Sequence, residues 1–367
     1  MTKLRVIGLM SGTSLDGIDI AFVETDGESQ VWLGPFATRP YKDAERRLLR
    51  AALADARSLT DAASRPGILP QAEAFLTCAH AEAVRAFCKE HGIDLASIDL
   101  VGFHGQTVLH RPEAGLTVQI GDGQGLAEEL GRPVVFDFRS ADVAAGGQGA
   151  PLVPVFHRAL AANADLPQRV AFLNIGGVAN ATLLHGDADP VACDTGSGNA
   201  LIDDFVLART GAPYDADGAL AASGSPDEDL LALWLAHPFF SAAPPKSLDR
   251  NAFDVSGVEK LSDADGAATL TAFTARAVAS LLPHLDEAPE LWIACGGGAH
   301  NKTLLSMLEK QLRAKVRAAD EFGWDAGAIE AQAFAYLAVR SARGLPLSFP
   351  GTTGVDRPLT GGRLAKP

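Results

Sequence analysis

Several things are scarce in this chain of 367 residues, and each scarcity removes a class of function. It holds only four cysteines, Cys78, Cys88, Cys193 and Cys295, and no two share a ligand-type spacing. A zinc site or a disulfide framework is therefore not expected, and a reducing compartment fits better. Lys and Arg number 31 against 45 Asp and Glu, a net charge of −14 that leaves no basic footprint for a nucleic acid. No apolar run reaches the about 20 residues of a membrane span, and no apolar signal segment precedes the strand pattern at Leu4. No membrane partner and a cytoplasmic location are the resulting expectations. Also missing are the Gly-Lys-[Ser/Thr] of a P-loop and any strand–GxGxxG–helix unit at the start, which argues against a nicotinamide dehydrogenase.

What is present is enough apolar material, 47% of residues, to bury a large core, in a length that suggests two domains. Leu4 to Leu9 reads as a buried strand, followed by the glycine- and hydroxyl-rich turn Gly12-Thr13-Ser14-Leu15-Asp16-Gly17. Ile18 to Val23, around Asp19, and Gln30 to Phe36 continue as an antiparallel meander. Such a turn offers N–H and O–H donors to a phosphate, although ordinary hairpin chemistry would produce it as well. Helical periodicity covers 42–56 and 71–90. A strand at 99–103 then delivers His104 and Gln106, with short strands at 108–110 and 116–120 and a helix at 124–130 after Asp122. Arg139 and Asp142 lead into a glycine-rich loop, and a domain boundary is expected there, at residue 137, with the tail after Gly351 returning to the first domain (1–136 and 351–367 against 137–350).

The second half repeats the organisation of the first. A strand at 169–174, the turn Gly176-Gly177 and a strand at 179–184 come before an apolar approach to Asp194. Asp194-Thr195-Gly196 forms a small-residue turn, and Asn199 or Ser197 is expected to cap the following helix. The stiff connection Pro244-Pro245-Lys246-Ser247 is followed by Arg250, Asn251 and Phe253. Near it, Trp234, Phe239 and Phe240 form an apolar cluster that is expected to pack inward. A strand at 290–295 runs into Gly296-Gly297-Gly298, where the backbone can approach a charged or flat ligand, then Asn301 and a helix at 303–312. The final helix, 328–341, carries Glu330 in its first turn.

The ordered series of these turns resembles the actin-like, sugar kinase and heat-shock-ATPase superfamily. The stretch 8–19, Phe103-His104-Gly105-Gln106-Thr107, Gln119-Ile120-Gly121-Asp122, Asp137-Phe138-Arg139 and the 147–152 loop resemble the anhydro-N-acetylmuramic acid kinase family more closely. Asn174 to Asn180, Asp194-Thr195-Gly196, Cys295 to Asn301 and Glu330-Ala331 carry the match to near the end of the chain. The resemblance implies an α/β, two-lobed actin-like ATPase (ribonuclease H-like) fold with an interlobe cleft, ATP and Mg²⁺ as cofactors, and a homodimer. It implies conversion of 1,6-anhydro-N-acetylmuramic acid, ATP and water to N-acetylmuramic acid 6-phosphate and ADP, in recycling of bacterial peptidoglycan. It makes Asp194 the base that activates water. Gly12, Thr13, Ser14, Leu15, Asp16, Gly17, Ile18 and Asp19 become the ATP loop. Gly176 and Gly177 are assigned to nucleotide, with Gly296, Gly297, Gly298 and Asn301 on the adenosine side. His104, Gln106, Arg139, Asp142 and Glu330 are carried over as sugar-side candidates.

One departure concerns the metal. Many members of the superfamily end the first strand in an acid, whereas Leu9 and Met10 stand there in this chain. Asp16 or Asp19, acting through water, are the remaining candidates. Two alternatives stay open on sequence: a kinase of another 1,6-anhydrosugar such as levoglucosan, and a non-catalytic ATP-binding scaffold of the same fold. Arg139 could pair with the lactyl carboxylate that separates muramic acid from plain anhydroglucose.

Overall fold

Apolar stretches with period-2 and period-3.6 spacing fold in the computed structural model into alternating strands and helices; it describes residues 2–244, 246, 248 and 253–367. Pro245, Ser247, Arg250 and Asn251 of the expected stiff connection lie outside the described residues. Strands β1 (Leu4–Ser11), β2 (Gly17–Thr25) and β3 (Val31–Pro40) open the chain. Helices α1 (Asp43–Ala56) and α2 (Leu69–Glu90) lead to β4 (Leu100–Arg111) and β5 (Leu116–Ile120). Then come α3 (Gly123–Leu130), β6 (Val134–Phe136), α4 (Ser140–Ala144) and α5 (Pro154–Asn163). The next section holds β7 (Arg169–Ile175), β8 (Val178–His185), β9 (Val191–Ser197), α6 (Ala200–Thr210), α7 (Ala219–Ala222), α8 (Glu228–Leu235) and α9 (Asp263–Ala279). After β10 (Leu291–Cys295), α10 (Lys302–Leu312) and β11 (Lys315–Ala318), the chain closes with α11 (Ile329–Ala342), α12 (Pro350–Thr353) and β12 (Arg363–Ala365).

These elements fall into two compact units, 1–164 with 327–367, and 165–326. The sequence reading put the division at 137 and 350. Helix α5 stays with the first unit, where Asn163 Nδ2 donates to the Val31 carbonyl, and so does α11. In the first unit the sheet order is β3-β2-β1-β4-β6-β12, with β5 paired to β4. There β2 runs antiparallel to β1 and β3, while β1, β4 and β6 are parallel. The second unit has the order β9-β8-β7-β10-β11 with the same directions. Each unit thus carries the ribonuclease H-like 3-2-1-4-5 order, and two such units in one chain make the actin-like ATPase fold.

Helix α11 is apolar around most of its circumference because it lies buried against the first sheet. It sits so close that a Cβ on Gly8 would come 1.9 Å from the Ala331 carbonyl oxygen, and one on Gly102 2.2 Å from that of Phe334. Only glycine permits that spacing. On the other face, Ile7, Phe22, Leu76, Val84 and Phe103 are among the buried residues joining the sheet to α1, α2 and α3. In the second unit Trp234, Phe240, Phe253 and Phe273 form a core with α9, so the cluster expected to pack inward does so.

Local differences from the sequence reading have simple causes. Positions 100–111 form one strand instead of two, because Gly105 at φ +71° absorbs an irregularity without ending the pairing. Strand β9 runs through Asp194 to Ser197 where a turn was expected. Helix α5 was signalled only by Pro154 at its first position. Among the described residues no helix is long and apolar enough to cross a membrane.

Candidate active site

In the first unit, β1 and β2 pair as far as Met10 and Asp19. The turn between them exposes Thr13, Ser14 and Asp16 to solvent. Leu15 anchors it: the side chain is buried at φ +56°, and its N–H donates to the Gly12 carbonyl at 3.2 Å. Ser14 Oγ donates to Asp16 Oδ1 at 2.9 Å. Gly17 and Ile18 are buried in β2, so the part of the 12–19 stretch open to a ligand is its first half. Asp19, on β2, accepts from Thr38 Oγ1 of β3 at 2.5 Å.

His104 and Arg139 meet at the end of the same sheet. His104 Nδ1 donates to the Gly105 carbonyl at 2.8 Å, and its bare Nε2 receives Arg139 Nε at 3.1 Å. Burial and the Arg139 charge hold this imidazole well below its ordinary range, so it is neutral. Arg139 Nη1 donates to the Gly149 carbonyl at 2.8 Å, and the guanidinium lies over Phe334 at 5.9 Å. Glu330, in the first turn of α11, keeps an exposed side chain. Although the residue still reaches solvent, the protein packed around its carboxyl raises it above the usual range; Arg139 opposes this, and the charges of Asp19 and Asp16 add to it.

Two sugar-side candidates occupy supporting places. Gln106 is fully buried, and its amide bonds to Ser11, Gly12 and Thr107 beneath the turn. Asp142, also buried, accepts from Gly149 N at 2.6 Å and Thr353 Oγ1 at 2.6 Å. Both oxygens are spent on closing the 145–149 loop against α12, so the carboxylate faces protein and not solvent.

In the second unit the turn Gly176-Gly177 is docked onto the start of α6. Gly198 N donates to the Gly177 carbonyl at 3.0 Å and Asn199 N to that of Gly176 at 2.7 Å. A Cβ on Gly198 would lie 2.2 Å from the Gly176 oxygen, so glycine is required for the approach. Asn199 stands at the N-cap position but its Nδ2 donates to the Ile175 carbonyl at 3.0 Å, and no side chain caps α6. Gly296 at φ +74° turns the chain out of β10, Gly297 and Gly298 form a 3₁₀ turn, and Asn301 caps α10 through Leu304 N at 2.9 Å. Ser197 is buried, with a hydroxyl that has no partner among the described residues.

Asp194 lies on β9 opposite Asn180. Its N–H donates to the Lys246 carbonyl at 2.9 Å, and its Oδ2 accepts from Leu248 N at 2.7 Å. Burial raises this carboxyl above the ordinary range, with the Leu248 bond opposing. A half-buried carboxylate with one oxygen fixed and a raised proton affinity has the properties of a general base. Sequence reading named Lys246 only as part of a stiff connection; its backbone bond with Asp194, and the Ser11–Tyr41 hydrogen bond in the first unit, left no pattern in the sequence.

No cluster of three or more His, Cys, Asp or Glu that could hold a metal occurs among the described residues. Asp16 and Asp19 lie near enough for their charges to raise the Glu330 carboxyl, a local excess of negative charge.

Comparison with known proteins bears on the whole chain. The family model described as anhydro-N-acetylmuramic acid kinase matches residues 4–366. The anhydro-N-acetylmuramic acid kinase of Azorhizobium caulinodans is 59% identical over 369 residues, covering 99% of this chain and 100% of that protein. Those of Rhodopseudomonas palustris (strain BisB18) and Methylobacterium nodulans are 58% and 57% identical, with 99% of this chain and 100% of each relative covered. A match of this extent, over a chain with ribonuclease H-like order in both units, makes the protein a member of the anhydro-N-acetylmuramic acid kinase family.

Proposed function

We propose that this protein phosphorylates 1,6-anhydro-N-acetylmuramic acid with ATP while opening its anhydro ring with water. The water oxygen bonds to C1 as the C1–O6 bond breaks, and its proton passes to Asp194 Oδ1. The released O6 forms the new bond to the γ-phosphorus, the bond to the β-phosphate oxygen breaks, and ADP leaves. N-acetylmuramic acid 6-phosphate is the product. The observation that carries this reading is Asp194, held at one oxygen by Leu248 N and raised in proton affinity by burial. A stronger base than an ordinary aspartate suits proton abstraction from water.

The chain's other residues take roles that their places support. The turn Gly12-Thr13-Ser14, with Thr13 and Ser14 exposed, receives the phosphates. Gly176-Gly177 and Gly296-Gly298 offer backbone close to the nucleotide, and Asn301 fixes the second of these turns through its cap. Arg139, oriented by His104 and Gly149, takes the lactyl carboxylate, and Glu330 takes a sugar hydroxyl. Mg²⁺, bound with ATP near Asp16 or Asp19 through water, supplies charge neutralisation at the phosphates when present. The working form is a cytoplasmic homodimer, which a measured mass at micromolar concentration tests.

The experiment is turnover in ¹⁸O-water. Label on the anomeric oxygen of the product is expected. Label absent from that oxygen overturns the role given to water and Asp194. ADP release with levoglucosan in place of the muramic sugar tests specificity; equal rates with both would favour the broader anhydrosugar kinase.

A further inference from the structure

Beneath the exposed turn of the first unit runs a buried line of hydrogen bonds whose direction is forced. Gln106 Nε2 faces the carbonyls of Gly12 at 3.1 Å and Thr107 at 3.3 Å. Carbonyls only accept, so the amide nitrogen must sit on that side and Oε1 on the other. Oε1 also only accepts, and the Ser11 hydroxyl 2.7 Å away therefore donates to it. With its proton committed, Ser11 Oγ accepts from Tyr41 Oη at 2.8 Å. Burial raises the Tyr41 phenol to about 12, which keeps that donor protonated. All three side chains are at most 1% exposed, so water does not compete for these bonds.

The consequence falls on the turn. The Gly12 carbonyl is held inward by two donors, Gln106 Nε2 and Leu15 N. In a planar trans peptide the carbonyl and the next N–H point opposite ways, so fixing the first turns the Thr13 N–H outward. Tyr41 grips the far end as well, its own N–H donating to the Asp16 carbonyl at 2.8 Å. One buried tyrosine therefore ties both ends of the 12–16 turn.

We propose that Tyr41, Ser11 and Gln106 are positioning residues for the nucleotide, a directional chain that aims the Thr13 N–H at the phosphates and sets the affinity of the turn for them. The proposal rests on the reading of 12–16 as the phosphate-binding turn. It makes Gln106 act on ATP through the backbone and not on the sugar.

The test uses calorimetry with ADP and with a non-hydrolysable ATP analogue, alongside kcat, the KM for each substrate and thermal melting. Gln106→Met keeps the volume and removes all three side-chain bonds; nucleotide Kd should rise about tenfold, one net hydrogen bond's worth or slightly more, with the sugar KM within about twofold of wild type. Ser11→Ala should behave likewise, Ser11→Thr should restore affinity, and Tyr41→Phe should weaken binding about threefold. Should Gln106→Met not fold, Ser11→Ala and Tyr41→Phe carry the same measurement. A lowered melting temperature with unchanged nucleotide Kd in these variants, or a raised sugar KM in Gln106→Met alone, overturns the proposal. Gly12→Val separates the two levels, since its Cβ meets only Ser14 Oγ, at 3.5 Å. If Gly12→Val binds nucleotide normally, the turn is not the phosphate site; if it fails while Gln106→Met binds normally, only the positioning role is lost.

Discussion

The imidazole of His104 receives two hydrogens of one guanidinium, from Nε of Arg139 at 3.1 Å and from Nη2 at 3.0 Å. A lysine ammonium cannot reproduce this fork and also reach the Gly149 carbonyl. Arg139→Lys should raise the KM for the muramic sugar about tenfold and leave nucleotide Kd unchanged, as steady-state kinetics and calorimetry would report. An equal effect with levoglucosan would place Arg139 away from the lactyl group.

Asp194→Asn keeps volume and the Leu248 bond but cannot take a proton. General base assistance is worth roughly 10²–10⁴ in rate, so kcat should drop at least about a hundredfold with little change in ADP affinity. A variant turning over at a near wild-type rate would remove Asp194 from the chemistry.

The same carboxyl predicts a pH effect of definite sign. Its folded proton affinity exceeds the ordinary one, so the folded state binds more protons than the unfolded state between 3.8 and the raised value. Stability contributed by the protonated form is present at the low end of that window and is lost as pH rises through it. At neutral pH Asp194→Asn should therefore melt at the same temperature as wild type or higher. In kcat/KM measured from about pH 4 to about pH 8, the acid limb should fall above the usual carboxylate range.

Gly198→Ala would drive a methyl to 2.2 Å from the Gly176 carbonyl. The two backbone bonds that dock the Gly176-Gly177 turn on α6 must then stretch. We expect a loss of about 1–3 kcal/mol in stability and at least a tenfold loss of nucleotide affinity. Denaturant unfolding and ADP calorimetry would measure both.

Most strands and helices that face the core were readable because their apolar spacing is regular, as in Leu4 to Leu9 or the stripe of 303–312; α5, which buries Val155, Phe156 and Leu160, was not. The glycine turns at 12–17, 176–177 and 296–298 were readable as well, since glycine has few reasons to cluster at strand ends, whereas the turn expected at Asp194-Thr195-Gly196 is strand. Direction of side chains was not readable. Gln106 and Asp142 have the residue types of a binding site, and only their burial and partners reveal that they hold backbone in place. Nothing in the spacing of Asp194 and Lys246, 52 positions apart in the sequence, signals that their backbones bond. Tyr41 is one of three tyrosines and stands in no motif.

The close seat of α11 on Gly8 and Gly102 has a bearing on synthesis. The second unit is one uninterrupted stretch, while the first needs 327–367 to be whole. On the ribosome, elongating at about 5–20 residues per second, the half carrying Asp194 has all its residues before the sheet that bears the 12–16 turn has its covering helix. For that interval an apolar sheet face stands open beside nascent chain, and this is the period in which a chaperone has most to protect.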